Sequence, residues 1–295
     1  MNISKLSIGT VQFGMPYGVT NNLNKTDFNH TVEILDIAYK SGINALDTAP
    51  IYGNSEEILG KVLCEQNWNI TTKIPPNTED VISTSYLNNI KSSVRKSLIN
   101  LGVNTIDGLL VHSCDDLFKP GGKDIFLTLK ELQSMGVVNK IGVSVYTEDQ
   151  ILRILDNFDI DIIQLPINIV DQRLVYSGCV NRLKKRGVEI HARSIFLQGL
   201  LLMPLNSVPN YFIPIINTLK SFNETARRLS MTPLDLALSY VVSIQEIDRV
   251  IVGVDAVQHI KDIINYNYKK ITLKDVEHLS IENPNYLNPA LWPSW

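Results

Sequence analysis

Long hydrophobic runs are missing from this chain of 295 residues. No stretch approaches the ~18 uninterrupted apolar residues that a membrane span requires. The opening Met1-Asn2-Ile3-Ser4-Lys5 also lacks the charged-then-apolar layout of a secretory signal, so a cytoplasmic protein with no membrane partner is expected. Cysteine is scarce. Cys64, Cys114 and Cys179 form an odd, widely spaced set without a Cys-x-x-Cys pair, which argues against a disulfide framework and a structural zinc site and predicts free thiols. Neither charge sign dominates, since 27 Lys and Arg against 30 Asp and Glu leave a net charge of −3 with no basic cluster. No nucleic-acid partner is therefore expected. The five histidines, His30, His112, His191, His259 and His278, show no ligand spacing, so no metal is expected either. Small molecules are the partners that remain.

What the chain does have is a regular alternation of two patterns. Short apolar runs with strand character fall at Leu6 to Gly9, Ile43 to Asp47, Ile70 to Lys73, Ile106 to His112, Lys140 to Ser144, Asp161 to Leu165, Val188 to Arg193 and Arg249 to Gly253. Between them lie stretches with helical spacing, such as Val32, Leu35, Ala38 and Tyr39, or Val94, Leu98 and Leu101. Eight strand and helix units fit a (β/α)8 TIM barrel in the α/β class. A doubly wound open sheet would favour a Gly-x-Gly-x-x-Gly turn after an early strand, and none is present. No Pro/Gly/Ser-rich linker divides the chain, so a single domain is expected, with the barrel over about 4–268 and an aromatic C-terminal tail over about 269–295. That tail, with Tyr286, Trp292 and Trp295, is expected to fold back onto the body.

Active sites of parallel barrels are assembled at the carboxyl ends of the strands. Here those ends are unusually polar: Asp47, Lys73, His112, Ser144, Gln164 and Arg193 close strands two to seven. Side chains alternate along a strand. If Asp47, Lys73 and His112 point inward, so do Ala45, Thr71 and Leu110, while Leu46, Thr72 and Val111 face the helices. His191 is expected inside the barrel beneath Arg193. Tyr52 sits on the loop after strand two, before a helix for which Asn54 or Ser55 is a suitable cap.

In order along the chain stand Gly9-Thr10, Asp47-Thr-Ala-x-x-Tyr52-Gly-x-Ser-Glu, Thr-Lys73, Val-His112-Ser, Ile-Gly-Val-Ser144 and Ala-Arg-Ser194-x-x-x-Gln-Gly-Leu-Leu. This set resembles the aldo-keto reductase family, from Gly9 to about residue 265. The resemblance implies a nicotinamide-dependent oxidoreductase that reduces an aldehyde or ketone, sugar-like among the choices. It implies Tyr52 as proton donor, Lys73 and Asp47 as the pair that tunes it, and His112 as the group that orients the carbonyl. The chemistry supports these types, because a phenol with pKa near 10 is a reluctant acid and a neighbouring ammonium lowers it. Taken one at a time the residues have duller readings: Asp47 as a turn former, Tyr52 as packing, Lys73 as a solvated strand end, His112 as a polar group near Asp115. Two functional alternatives remain beside the reductase: a barrel lyase with Lys73 as its Schiff-base amine, and a dinucleotide-binding regulatory subunit with little turnover. Cys114, two residues beyond His112, suggests a nucleophile only by proximity.

Barrels commonly bind phosphate at the loops after strands seven and eight. By resemblance, Ser194 to Leu200, including Leu197 and Gly199, would wrap a pyrophosphate. Ser144 and Gln164 would hold the nicotinamide amide, and Gly253 to Asp262, including Val254, Asp255 and His259, would hold the adenosine. Thr10 and Arg193 complete the expected cofactor set. Three departures from the family pattern bear on specificity. Val145 replaces an amide after Ser144. Arg193 replaces a ring-stacking aromatic and adds positive charge that favours an acidic substrate. Asp255 stands where a preference for the phosphorylated dinucleotide usually brings Lys or Arg, so NADP and NAD both remain open. The loops Gly14 to Gly18 and Ser113 to Gly122, the tail, and Asn168, Asp171 and Arg173 are further candidates for shaping the substrate pocket.

Overall fold

The short apolar runs become eight parallel strands in the computed structural model, which describes residues 3–19, 24–63 and 66–293. They are β1 (Leu6–Gly9), β2 (Ala45–Asp47), β3 (Asn69–Ile74), β4 (Ile106–Val111), β5 (Val138–Ser144), β6 (Ile162–Pro166), β7 (Glu189–Arg193) and β8 (Arg249–Gly253). Each pairs with the next, and β8 returns to pair with β1, which closes the barrel. That closure excludes the doubly wound open sheet. Cys64 and Trp295 lie outside the described residues, whereas Cys114 and Cys179 are buried free thiols.

Helical periodicity selects the outer layer, with one shift of face. In the helix Phe28–Lys40 the buried stripe is Thr31, Ile34, Leu35 and Ala38, at the i, i+3, i+4, i+7 spacing of one face. Val32, expected on that stripe, is exposed. The buried stripe is set one residue earlier, at Thr31, whose burial is made tolerable by its hydroxyl donating to the Asp27 carbonyl. In Thr84–Leu101 the buried positions are Ile90, Val94, Ser97 and Leu101, and Gly102 ends the helix in the left-handed region at φ +66°.

Alternation along the strands divides the interior as expected. Leu46 and Val111 join the core between barrel and helices. Thr72 also faces outward, and its hydroxyl donates to Glu56 on the helix Ser55–Val62 at 2.8 Å. At the amino end of the barrel, Lys140 bridges Glu189 at 2.8 Å and Asp107 at 3.7 Å, and the buried His191 meets Glu189 at 2.8 Å. Hydrogen bonding from His191 is the main cause holding the Glu189 carboxyl down at about 2. Charge thus fills one end of the barrel and leaves the carboxyl end for chemistry.

The tail folds back onto the body. Tyr286 packs on Tyr211 with ring centroids 5.7 Å apart, and Trp292 meets Phe212 edge-on at 4.8 Å. Val276, Leu279, Ile281 and Leu287 are buried with the core, and the Ile281 N–H donates to the Val170 carbonyl. No helix among the described residues is long and apolar enough to cross a membrane.

Candidate active site

β2 and β3 lie side by side with Asp47 opposite Thr71, which brings Lys73, two residues further along, up to the Asp47 carboxylate. The Lys73 ammonium donates to both carboxylate oxygens and to the Thr48 carbonyl, each at 2.9 Å. Gln164, across the barrel on β6, donates through Nε2 to Asp47 Oδ1 at 2.7 Å. Lys73 is 2% exposed, and its pKa is nevertheless raised, because Asp47 and Tyr52 more than offset the desolvation of the ammonium. The lysine is therefore charged, as expected, and its partner is the expected one.

Tyr52 stands above this pair on the loop between β2 and the helix Ser55–Val62. Its N–H donates to the Ala49 carbonyl and its own carbonyl accepts from Ser55, a tight turn completed by Gly53 at φ +59°. A Cβ at Gly14 would collide with the Tyr52 carbonyl, so the small residue lets the loop after β1 press against this turn. Asn54 takes the N-cap position but does not cap with its side chain. Its Oδ1 accepts from Lys25 instead, and Ser55 is drawn to Thr10. The Lys73 ammonium lies 5.0 Å from the centre of the Tyr52 ring, and the His112 ring meets that ring edge-on at 6.1 Å.

The net shift of Tyr52 runs opposite to the expectation. Burial pushes the phenol up, Lys73 pulls it back, and Asp47 adds to the rise, so the result lies above 10. The phenol therefore keeps its proton at neutral pH, with the Lys73 ammonium beneath its ring. His112 is pushed down to about 4, first by burial and then by Lys73, and its Nδ1 is buried without a hydrogen-bond partner. Its folded pKa lies below the unfolded 6.5, so its contribution to stability is present above pH 6.5 and is lost as pH falls through about 4. An NMR titration of the imidazole is expected to show it neutral throughout pH 5.5–8, with a midpoint near 4. A midpoint near 6.5 would show instead that burial does not govern it.

Around this group the strand ends enclose a cleft of about 540 Å³. Asp47, Tyr52 and His112 line it, as do Thr10, Ser144, Gln164, Arg193, Ser194, Gly199, Gly253, Asp255 and His259 from the expected cofactor set. Lys73 lies beneath this lining, against Asp47 and the Tyr52 ring, and three residues of the expected cofactor set are not brought there. Leu197 and Val254 are buried in the core, and Asp262 lies on the exposed side of the helix Val257–Ile264, accepting from Gln258. The physical cause at Leu197 is a backbone reversal: Ser194, Leu197, Gln198 and Gly199 all have positive φ, which turns the Leu197 side chain inward. A turn of this kind gathers successive backbone N–H groups into an anion-binding concavity. Among the described residues no backbone partner is found for the N–H groups of Ile195, Phe196 and Gln198. The loop after β1 reaches over to this turn, where Val19 donates to the Gln198 carbonyl at 3.0 Å and Gln198 donates to the Tyr17 hydroxyl at 3.1 Å.

Several other expected pocket residues have structural employment. The loop Ser113 to Gly122 is tied to the segment after β3, with Asp116 accepting from the Asn77 N–H and pairing with Lys119 at 2.8 Å. None of its residues lines the cleft, and none of the described tail does either. Cys114 within that loop is buried, which pushes its thiol far above the usual range and removes the nucleophile reading. Arg173 pairs with Asp171 at 2.8 Å, and Asn168 holds the turn by accepting from Val170 and Asp171. Sequence reasoning missed Gln12 and Tyr146. Tyr146 follows Ser144 by two, so simple alternation carried the signal. Gln12 lies in the four-residue helix Val11–Gly14, too short to leave a periodic signature.

A model of the Aldo/keto reductase family matches residues 5–283. The uncharacterized oxidoreductase YqkF of Bacillus subtilis is 25% identical, over 95% of this chain and 92% of that protein. L-galactose dehydrogenase of Arabidopsis thaliana is 25% identical over 87% and 85%. Among solved structures, the holo form of aldo-keto reductase AKR11C1 from Bacillus halodurans superposes with a TM-score of 0.73 at 21% identity, covering 98% and 93%.

Proposed function

Because the chain belongs to the aldo/keto reductase family, and is therefore an NAD(P)H-dependent oxidoreductase acting on small carbonyl compounds, we propose that Tyr52 is the acid of a reduction carried out at the mouth of its barrel. The observation that carries this reading is the buried chain of contacts from Gln164 through Asp47 to Lys73, which ends beneath the Tyr52 ring. A reduced nicotinamide held by the cleft residues Ser144, Gln164 and Ser194 would supply the hydride to the carbonyl carbon. Tyr52 passes its hydroxyl proton to the carbonyl oxygen as negative charge develops there, and Lys73 stabilises the phenolate that results. Asp47 holds the ammonium charged and aimed. His112, neutral at pH 7, offers an N–H to the same oxygen and fixes its position.

The cleft suits a dinucleotide on its own features. The turn from Ser194 to Gly199 offers the backbone N–H groups of Ile195, Phe196 and Gln198 to a pyrophosphate, while those of Leu197 and Gly199 are used within the turn. Gln164 commits its amide N–H to Asp47, and its carbonyl oxygen remains to accept from a carboxamide. Gln12 has a buried Oε1 with no partner beside Gly253. At the strand-eight end, Asp255 and His259 pair at 2.6 Å, and this bond is the first cause lowering the carboxyl and raising the imidazole. Among the described cleft residues the one Lys or Arg is Arg193, which closes β7 and makes no ion pair with Asp255. This supports a preference for the unphosphorylated dinucleotide, NAD over NADP. Asp255→Asn is expected to narrow the ratio of NADPH to NADH dissociation constants, read by fluorescence, by about 3- to 10-fold. An unchanged ratio would remove Asp255 from the choice.

The lyase alternative fails on chemistry. A Schiff-base lysine must offer a free neutral amine, whereas the Lys73 ammonium is held by three hydrogen bonds and its pKa is raised. A sugar-like substrate rests on the name of the Arabidopsis relative. The test of the reading is titration with both reduced dinucleotides followed by a screen of carbonyl compounds for oxidation of the one that binds. Tight binding with no turnover on any of them would favour the regulatory alternative.

A further inference from the structure

The catalytic half of the cleft holds one charge that the chain does not neutralise. Lys73 is matched by Asp47, and His112 is uncharged at pH 7. Arg193, which closes β7, is half-buried and lines the same cleft as Tyr52 and His112. Its guanidinium lies 4.1 Å from the centre of the Tyr146 ring, one arm donates to the Val145 carbonyl at 3.1 Å, and another reaches Ser194 Oγ at 3.4 Å. Every one of these partners is neutral. Among the described residues no carboxylate lies within ion-pair distance of Arg193.

A guanidinium in this state is primed for an anion. The stack on Tyr146 and the bond to Val145 fix its plane, so little further ordering is needed when a ligand arrives. Five N–H donors are available to the group and two are used, which leaves room for the two-pronged contact that a carboxylate makes. A partly desolvated cation without a counter-charge is also costly, and a bound anion relieves that cost. The dinucleotide has its own donors in the turn from Ser194 to Gly199. We propose that Arg193 receives a carboxylate carried by the substrate, so that the preferred substrates are oxo acids, aldehydes or ketones that bear an acid group, over their neutral counterparts. This rests on the reductase reading above and narrows it to a substrate class.

The test compares matched pairs, 4-oxobutanoate with butanal and D-glucuronate with D-glucose, in the wild type, Arg193→Met and Arg193→Lys. The wild type is expected to favour the acids in kcat/KM by about 10- to 100-fold, the range of a charge-assisted hydrogen bond. Arg193→Met loses that ratio chiefly through KM, and Arg193→Lys keeps part of it. Binding is read separately, as the thermal shift that 4-hydroxybutanoate produces on the dinucleotide-loaded protein, with 1-butanol as control. A shift in the wild type that is absent in Arg193→Met supports the assignment even where no carbonyl is reduced, in which case the reductase reading falls and the anion site stands. Two results overturn the assignment. One is a wild type that neither prefers the acids nor binds 4-hydroxybutanoate. The other is an Arg193→Met protein whose dinucleotide Kd rises by as much as its KM for the acids, which would give the guanidinium to the cofactor.

Discussion

Tyr52→Phe is expected to lower kcat/KM for carbonyl reduction by about 10²- to 10⁴-fold, the usual contribution of a positioned general acid, with dinucleotide affinity close to that of the wild type. The substitution is narrow. The phenyl ring keeps its edge-on contact with His112 and its place over the Lys73 ammonium, so only the hydroxyl is removed. Tyr52 is half-buried and the turn that carries it is held by backbone hydrogen bonds, so the fold loses little. Stopped-flow oxidation of the reduced dinucleotide, after its dissociation constant has been measured for each protein, separates chemistry from binding. A variant within threefold of the wild-type rate would remove Tyr52 from the role.

Lys73→Met is expected to harm both stability and activity. It strands the Asp47 carboxylate, 5% exposed, with Gln164 as its remaining side-chain donor. Breaking a buried pair by removing one member costs about 3–5 kcal/mol, and at about 2.1 cal/mol/K of unfolding entropy per residue a chain of 295 residues would show that as a fall in Tm of roughly 5–8 °C. Removing both charges in Asp47→Asn/Lys73→Met is expected to recover part of the lost stability and none of the activity, because no uncompensated charge remains and no cation supports the phenolate. The pH dependence has a definite sign. The folded pKa of Lys73 is raised above 10.5, so its contribution is fully present below that value and is lost only as pH rises through the higher folded pKa. Denaturant unfolding from pH 6 to 10 therefore reads no loss from this pair. A double variant less stable than either single one would contradict the account.

The sequence carried the barrel because each strand of a closed parallel sheet is buried on both faces and so is written as a short apolar run. Strand-end chemistry was legible for the same reason. Asp47, His112, Ser144, Gln164 and Arg193 stand where the apolar run stops; alternation makes them candidates for the barrel mouth, the resemblance to the family singles them out, and all five line the cleft. Loops were less legible. Leu197 was expected on the cleft and lies in the core, since the turn around it depends on positive φ at Ser194 and Gln198, which are not glycines and carry no sign of it. Val254 falls outside the cleft for want of one-residue register in the loop after β8, which no periodicity supplies, and Asp262 because its helix turns that position to solvent. The direction of the Tyr52 shift was misjudged because burial, a property of the assembled mouth, outweighs the charge of Lys73 that the sequence made visible.

The claim on which the rest depends is that the Tyr52 hydroxyl delivers the proton to the reduced carbonyl. Single-turnover reduction by dinucleotide-loaded protein, measured in H2O and in D2O for the wild type and for Tyr52→Phe, addresses it most directly. The account predicts that the wild type slows in D2O, because an exchangeable phenolic proton moves in the chemical step, and that the Phe variant is slower still, without that isotope sensitivity. Equal rates and equal solvent isotope effects in the two proteins would contradict it.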